Sequence, residues 1–261
     1  MKITLKSIFR LATHPRLLQT HDNVFLLSHM RANTSVLGHI LGSHPEIEGY
    51  YEMHMGYESR KSLWRLRLMY LQDHAPKKES HIFFDKILHN YCKIETEILK
   101  SPATKTIFML RNPERTIKST VELFSKNKNS HAYSKPEYAV FYYIDRINKL
   151  LEIAEGIKNK YYYLDAESIT ENPQTCLSEL GAWLELKTPL KTEYKLFSKT
   201  GKVKAGDSSE NIKSGKILKT NQDYKHIHIP PELLQKAQQA YRICRTRLIQ
   251  GSQKHFTLDS D

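Results

Sequence analysis

Between Val24 and Gly42 the chain reads V-F-L-L-S-H-M-R-A-N-T-S-V-L-G-H-I-L-G. The order of residue types in this stretch restricts the fold more than any other part of the sequence. Val24 to Leu27 form a short apolar run suited to a fully buried strand, and a polar segment follows. Val36, Leu37, Ile40 and Leu41 then recur at helical spacing, with Gly42 placed to end the helix. A strand, a tight polar loop and a helix N-terminus together make an anion site, because the first-turn N–H groups lack helical partners and point into the loop. Arg31 adds a positive charge there, and Thr34 and Ser35 add hydroxyl donors. A phosphate fits this arrangement.

The phosphate loop of kinases and ATPases, G-x-x-x-x-G-K-[ST], is absent. Arg31 stands where that loop would have lysine, and no glycine lies between Leu27 and Gly38. Charge points to an anionic partner as well. Lys plus Arg exceed Asp plus Glu by 40 − 28 = 12, and the pI is near 9.4. Such a surplus favours nucleic acid, an anionic membrane, or an anionic cofactor and substrate. With no helix-turn-helix, finger or ribonucleoprotein signature, nucleic acid is not the expected partner. A hydrophobic content of 39% over 261 residues suits one large folded α/β domain rather than a disordered chain. No apolar run approaches the ~18 residues needed to span a bilayer. Cys92, Cys176 and Cys244 lie far apart without a C-x-x-C, so neither a zinc site nor a disulfide framework is expected.

The remaining elements follow from the same rules. Met1 to Gln19 can form a basic amphipathic helix that either packs on its own domain or lies on an anionic membrane surface. Pro45 and Gly49 mark a turn, and Ile47 to Tyr51 read as a short strand with Glu52 and His54 at its far end. Ser59 to Asp73 read as a helix, and His81 to Lys86 as a second main strand with Asp85, Lys86 and His89 in the loop after it. Lys105 to Leu110 form a third strand. It ends in Arg111, with Asn112 suited to cap a helix and Pro113 to begin it. Pro136 to Gly156 is a long helix, Tyr161 to Leu164 a fourth strand, and Phe197 to Ile217 a polar, glycine-punctuated loop of the kind that forms a lid. Pro230 to Leu248 reads as a last amphipathic helix, followed by a frayed tail.

R-A-N-T-S-V-L, residues 31–37, resembles the 5′-phosphosulfate loop of sulfotransferases that use 3′-phosphoadenosine 5′-phosphosulfate (PAPS). That loop usually reads [RK]-S-G-[ST]-[ST]-x-L, so Ala32 and Asn33 replace its Ser-Gly. Asparagine, after glycine, best tolerates the left-handed backbone such a turn needs. R-N-P-E-R-T-I-K-S, residues 111–119, is similar to the family's 3′-phosphate element, R-[DN]-P-x-x-x-x-x-S. H-P-E-I, residues 44–47, resembles the H-P-x-[IV] that follows the phosphate-loop helix in several branches, including those acting on protein tyrosine. In those branches a glutamate then serves as base, and Glu52 stands in its place. The segment from Ala166 resembles a later family element, but it has alanine where a tyrosine often contacts adenine. Adenine contacts therefore stay open, with Tyr163 one alternative.

The resemblance, which covers most of 24–217, implies an α/β fold with a mainly parallel central sheet, helices on both faces, and the plan of the P-loop nucleotide kinases. It implies a single sulfotransferase domain over 1–261, with an N-terminal basic helix at 1–20, a core at 21–220 and a C-terminal helix and tail at 221–261. The expected reaction is transfer of a sulfuryl group from PAPS to an acceptor hydroxyl or amine, leaving adenosine 3′,5′-bisphosphate. Arg31, Ala32, Asn33, Thr34, Ser35 and Val36 would hold the 5′-phosphate, Arg111 and Ser119 the 3′-phosphate, and Lys213 would close over the nucleotide from the lid. Glu52 would act as base, and Lys86 would assist the leaving group, with His89 as its competitor. No metal is expected. The acceptor class favoured is a carbohydrate, glycolipid or polysaccharide, and the expected location is cytoplasmic, with peripheral membrane contact through the N-terminal helix as a variant. The rivals from other classes are an ATP-dependent phosphotransferase and a non-catalytic binder of nucleic acid.

Overall fold

β1 (Asp22–Leu27) lies near the middle of a parallel sheet, with β3 (Ile82–Ile87) on one side and β4 (Thr104–Leu110) on the other. β2 (Ile47–Glu48) extends the sheet beyond β3, and β5 (Tyr161–Asp165) and β6 (Lys254–Phe256) extend it beyond β4. The order is β2–β3–β1–β4–β5–β6. The computed structural model describes residues 4–13, 22–126, 131–202, 210–219 and 223–258.

Both sheet faces are covered, so successive strand residues alternate between two apolar layers instead of between core and solvent. Phe25, Leu27, Phe108 and Tyr163 pack on one side with α3 (Arg60–Asp73), α5 (Pro113–Ser125), α6 (Pro136–Glu155) and α9 (Pro231–Gly251). Val24, Leu26, Met109 and Leu164 pack on the other with α2 (Thr34–Ser43), α7 (Ser168–Glu171) and α8 (Pro173–Trp183). A short α4 (Thr96–Leu99) precedes β4. The parallel sheet with helices on both faces is the architecture expected from the sequence.

Several boundaries differ from expectation, each for a packing reason. Gly42 does not end α2, which runs on to Ser43. A Cβ at Gly42 would lie 2.5 Å from the Gly49 carbonyl oxygen, so glycine is there to admit a neighbouring backbone. The helix stops instead at His44, whose extended conformation suits a residue before proline. β2 covers Ile47–Glu48 rather than Ile47–Tyr51, because Gly49 turns away with φ +101° against the β3 backbone. Asp85 and Lys86 lie within β3, not in the loop after it, and both are buried. The tail is not frayed over 254–256, which pair with β5 as β6. Beyond it, Leu258 N–H donates to Asp165 Oδ2 at 3.1 Å, and the Arg245 fork meets the same carboxylate at 2.9 and 2.7 Å.

Of the helix expected over 1–19, the described part is α1 (Leu5–Ala12); residues 1–3 and 14–19 lie outside the described residues. Arg10 ties α1 to the end of α3 by donating to the Leu71 carbonyl at 2.8 Å, while Leu5 and Phe9 face outward. Among the described residues no helix is long and apolar enough to cross a membrane.

Candidate active site

β1 is flanked by strands reached in opposite directions, so its C-terminal end opens on the switch-point crevice where open parallel sheets bind ligands. The loop leaving β1 makes a tight turn there. Arg31 and Asn33 both have left-handed φ angles, 63° and 57°. Asn33 is the N-cap of α2 but makes no side-chain capping bond; its amide donates outward to the Ala166 carbonyl at 2.9 Å. The first-turn amides of α2 are thus left uncapped by Asn33, as an anion-binding helix start requires. Ala32 is fully buried, which suits a small residue at this turn.

The loop leaving β4 meets it. Asn112 caps α5 by accepting from Arg115 N–H at 3.3 Å, with Pro113 opening the helix, so Arg111 sits at the strand's end and Ser119 two turns on. Arg31 Nε donates to Ser119 Oγ at 2.9 Å, and Arg111 Nη1 donates to the Arg31 carbonyl at 2.7 Å. Two elements eighty residues apart in sequence therefore share one hydrogen-bonded junction. Arg111 Nε is buried without a hydrogen-bond partner among the described residues, and the Glu167 carboxylate lies 3.9 Å from it. Burial lowers the Arg111 pKa and raises that of Glu167. The cleft beside this junction is walled by Arg31, Arg111, Arg115, Lys216 and Lys219, with Glu167 and Glu171 in opposition. Its charge is net positive, and Val36, Tyr194, Ile212 and Ile217 give it an apolar side.

Glu52 and Lys86 do not wall this cleft, but they connect to it. Lys86 Nζ donates to Ser35 Oγ at 3.3 Å, linking β3 to the start of α2. Burial pushes the Glu52 carboxyl up to about 7, while Lys86, Arg146 and a bond from the Leu88 backbone pull it down. Glu52 Oε1 is buried with no hydrogen-bond donor among the described residues. His54 Nδ1 and His89 Nε2 lie 3.4 and 3.7 Å from it. Below them, Asp85 accepts from the backbones of Met53 and Lys86 and from Tyr57, which fixes the segment carrying Glu52 against β3.

Sequence reading missed the residues that hold these loops. Tyr142 and Arg146, one turn apart on α6, face the sheet. The Tyr142 hydroxyl accepts from Met30 N–H at 3.0 Å and donates to the Leu88 carbonyl at 3.1 Å. Arg146 is fully buried and donates to the Ser28 and Ile87 carbonyls and to Asn90 Oδ1. The ends of β1 and β3 are thereby strapped together. The one available signal was a charged residue at i+3 from Tyr143 on an apolar helix stripe. Tyr163 is fully buried and donates to Asp165, so it does not reach the cleft. Of the lid segment, 203–209 lie outside the described residues. Lys213 lies close to Gly201, whereas Lys216 and Lys219 reach the cleft wall.

Solved sulfotransferases share this fold. A sulfotransferase domain from the curacin biosynthetic pathway aligns with a TM-score of 0.59 at 16% identity, covering 85% of this chain and 97% of that one. Mouse sulfotransferase SULT7A1, solved in complex with PAP, aligns with a TM-score of 0.53 at 12% identity, over 92% of this chain and 89% of that one. No family model matches the sequence, and no curated protein matches it. At such identities the likeness establishes the architecture, a parallel sheet flanked by helices with the plan of a sulfotransferase.

Proposed function

We propose that the protein is a PAPS-dependent sulfotransferase. The observation that carries this reading is the junction of Arg31, Ser119 and Arg111, which joins two anion-binding elements beside one cleft. A nucleotide phosphorylated at both its 3′ and 5′ positions needs two such elements side by side; ATP needs only one, with a metal. PAPS, when bound, supplies an activated sulfuryl group on its 5′-phosphate.

The residues present fit that donor. The α2 N-terminus from Arg31 to Val36 would hold the 5′-phosphate, with the Thr34 and Ser35 hydroxyls and the uncapped amides as donors. Arg111 and Ser119 would hold the 3′-phosphate, the unbonded Arg111 Nε being a donor in need of an acceptor. Lys216 from the lid and Lys219 just beyond it would supply further charge, the role that the resemblance gives Lys213. Glu52 would take the acceptor's proton through its unbonded Oε1, and Lys86, already on Ser35, would offset charge developing on the leaving oxygen. The fixed arginines and lysines supply positive charge for this step. The surplus of twelve positive charges favours an anionic carbohydrate or glycolipid acceptor.

Thermal unfolding tests the donor assignment, comparing adenosine 3′,5′-bisphosphate with ATP plus magnesium at equal ionic strength. At a hundredfold excess over its dissociation constant a ligand adds ~2.7 kcal/mol, which raises the Tm by several degrees. The bisphosphate alone is expected to do so. A shift with ATP and none with the bisphosphate would refute the reading and revive the phosphotransferase.

A further inference from the structure

Three side chains beside the cleft converge in a way that proton transfer does not require. Glu52 Oε1 is 3.4 Å from His54 Nδ1 and 3.7 Å from His89 Nε2, and one ligand atom from each of the three residues lies within 4.8 Å of the other two. The edges of a tetrahedral zinc site with nitrogen and oxygen ligands at about 2.0–2.2 Å are about 3.4 Å. The two shorter separations already match, and a small rotation of either ring would bring in the third. Glu52 is 5% exposed, and its Oε1, aimed between the two imidazoles, has no hydrogen-bond donor among the described residues. An acceptor so placed is satisfied by a proton or by a cation.

We propose that Glu52, His54 and His89 form a binding site for a borderline divalent cation of the zinc type, and that its occupancy withdraws Glu52 from the reaction. Two imidazoles and one carboxylate are a donor set such cations favour over magnesium, which prefers oxygen ligands. Three protein ligands leave a coordination position for solvent, so the bound ion is exchangeable rather than structural. Three groups oppose binding. Lys86 and Arg146 place positive charge near Glu52, and the Tyr91 hydroxyl lies 3.4 Å from the same His54 nitrogen. Affinity is therefore that of a reversible inhibitory site. The inhibitory half of the proposal rests on Glu52 being the base, as argued above; the binding half does not.

Zinc is titrated into the intact chain by calorimetry, and cobalt(II) serves as the spectroscopic probe of tetrahedral ligation. His54 has a left-handed φ of 50°, so His54→Asn removes the imidazole while keeping a residue that tolerates that backbone. His89→Ala is the second variant, and thermal unfolding confirms that both fold. One zinc per chain is expected, unaffected by excess magnesium, with each variant weakened by at least about tenfold. Equal zinc affinity in the native chain and both folded variants would overturn the site. In the activity arm, zinc should inhibit sulfuryl transfer by the native chain, while His54→Asn, measured against its own metal-free rate, should need at least about tenfold more zinc for the same fractional inhibition. Inhibition of equal potency in His54→Asn would overturn the assignment of that inhibition to this site. A native chain that binds zinc through His54 yet transfers no sulfuryl group would sink the sulfotransferase reading and leave the cation site standing.

Discussion

Glu52 is ionisable in the range where the proposed chemistry runs, since burial holds its carboxyl up to about 7. A base must be ionised to accept a proton, so kcat/KM should rise with pH to a plateau, with an apparent pKa of about 7. Glu52→Gln should abolish that limb and lower turnover by ~10²-fold or more. Stability should move the other way. The folded state holds this proton where the unfolded chain, with its carboxyl at the ordinary 4.5, has lost it, so stability falls as pH rises from 4.5 to about 7. Glu52→Gln should therefore raise the Tm above pH 7 and leave it unchanged near pH 4; a lower Tm at pH 8 would contradict the desolvated carboxylate. Asn33 was readable from sequence because its left-handed tolerance is a property of the residue itself. Arg146 was hidden because its partners are carbonyls at the ends of β1 and β3, more than fifty residues away.

At the scale of elements, the four main strands (β1, β3, β4 and β5), the Asn112 cap and the long helix α6 were legible because periodicity and capping are local. The errors fell where a distant backbone decides. Gly42 looked like a helix terminator and is a contact point, since a Cβ would meet both the Gly49 carbonyl and the Tyr50 side chain. Gly42→Ala should thus lower stability by about 1–3 kcal/mol through overpacking, although alanine is the better helix former. Denaturant unfolding decides this, and an unchanged or raised midpoint would show that the Gly49–Tyr50 backbone can yield to a Cβ. In the lid, where no period fixes which side chains turn inward, Lys213 was the lysine named from sequence, and Lys216 and Lys219 line the cleft.

For the whole molecule, the edge beyond β5 depends on Asp165. Its carboxylate gathers Arg245 from α9, the Tyr163 hydroxyl and Leu258 N–H, and so holds the last helix and the tail strand on the sheet. Asp165 is buried, so Arg245→Leu leaves a carboxylate short of its strongest partner and should cost about 3 kcal/mol. Asp165→Asn added to that variant should recover part of the loss, and a purely additive double mutant would show that the pair is not coupled. None of this was visible in a tail that lacks a hydrophobic pattern.

The bond from Arg111 to the Arg31 carbonyl has a thermodynamic meaning of its own. Under the proposed function it makes recognition of one end of the nucleotide conditional on the other, since an anion that draws on either arginine shifts the backbone or side chain serving its neighbour. The gains in binding free energy from adding a 3′- or a 5′-phosphate to adenosine should then fail to sum to the gain from adding both. In a double-mutant cycle, Arg31→Ala and Arg111→Ala should show an interaction energy of ~0.5–3 kcal/mol in bisphosphate affinity. Strict additivity would mean two independent docking points. Non-additivity would mean that selectivity for a doubly phosphorylated nucleotide is a cooperative property, vested in one hydrogen bond between main chain and side chain.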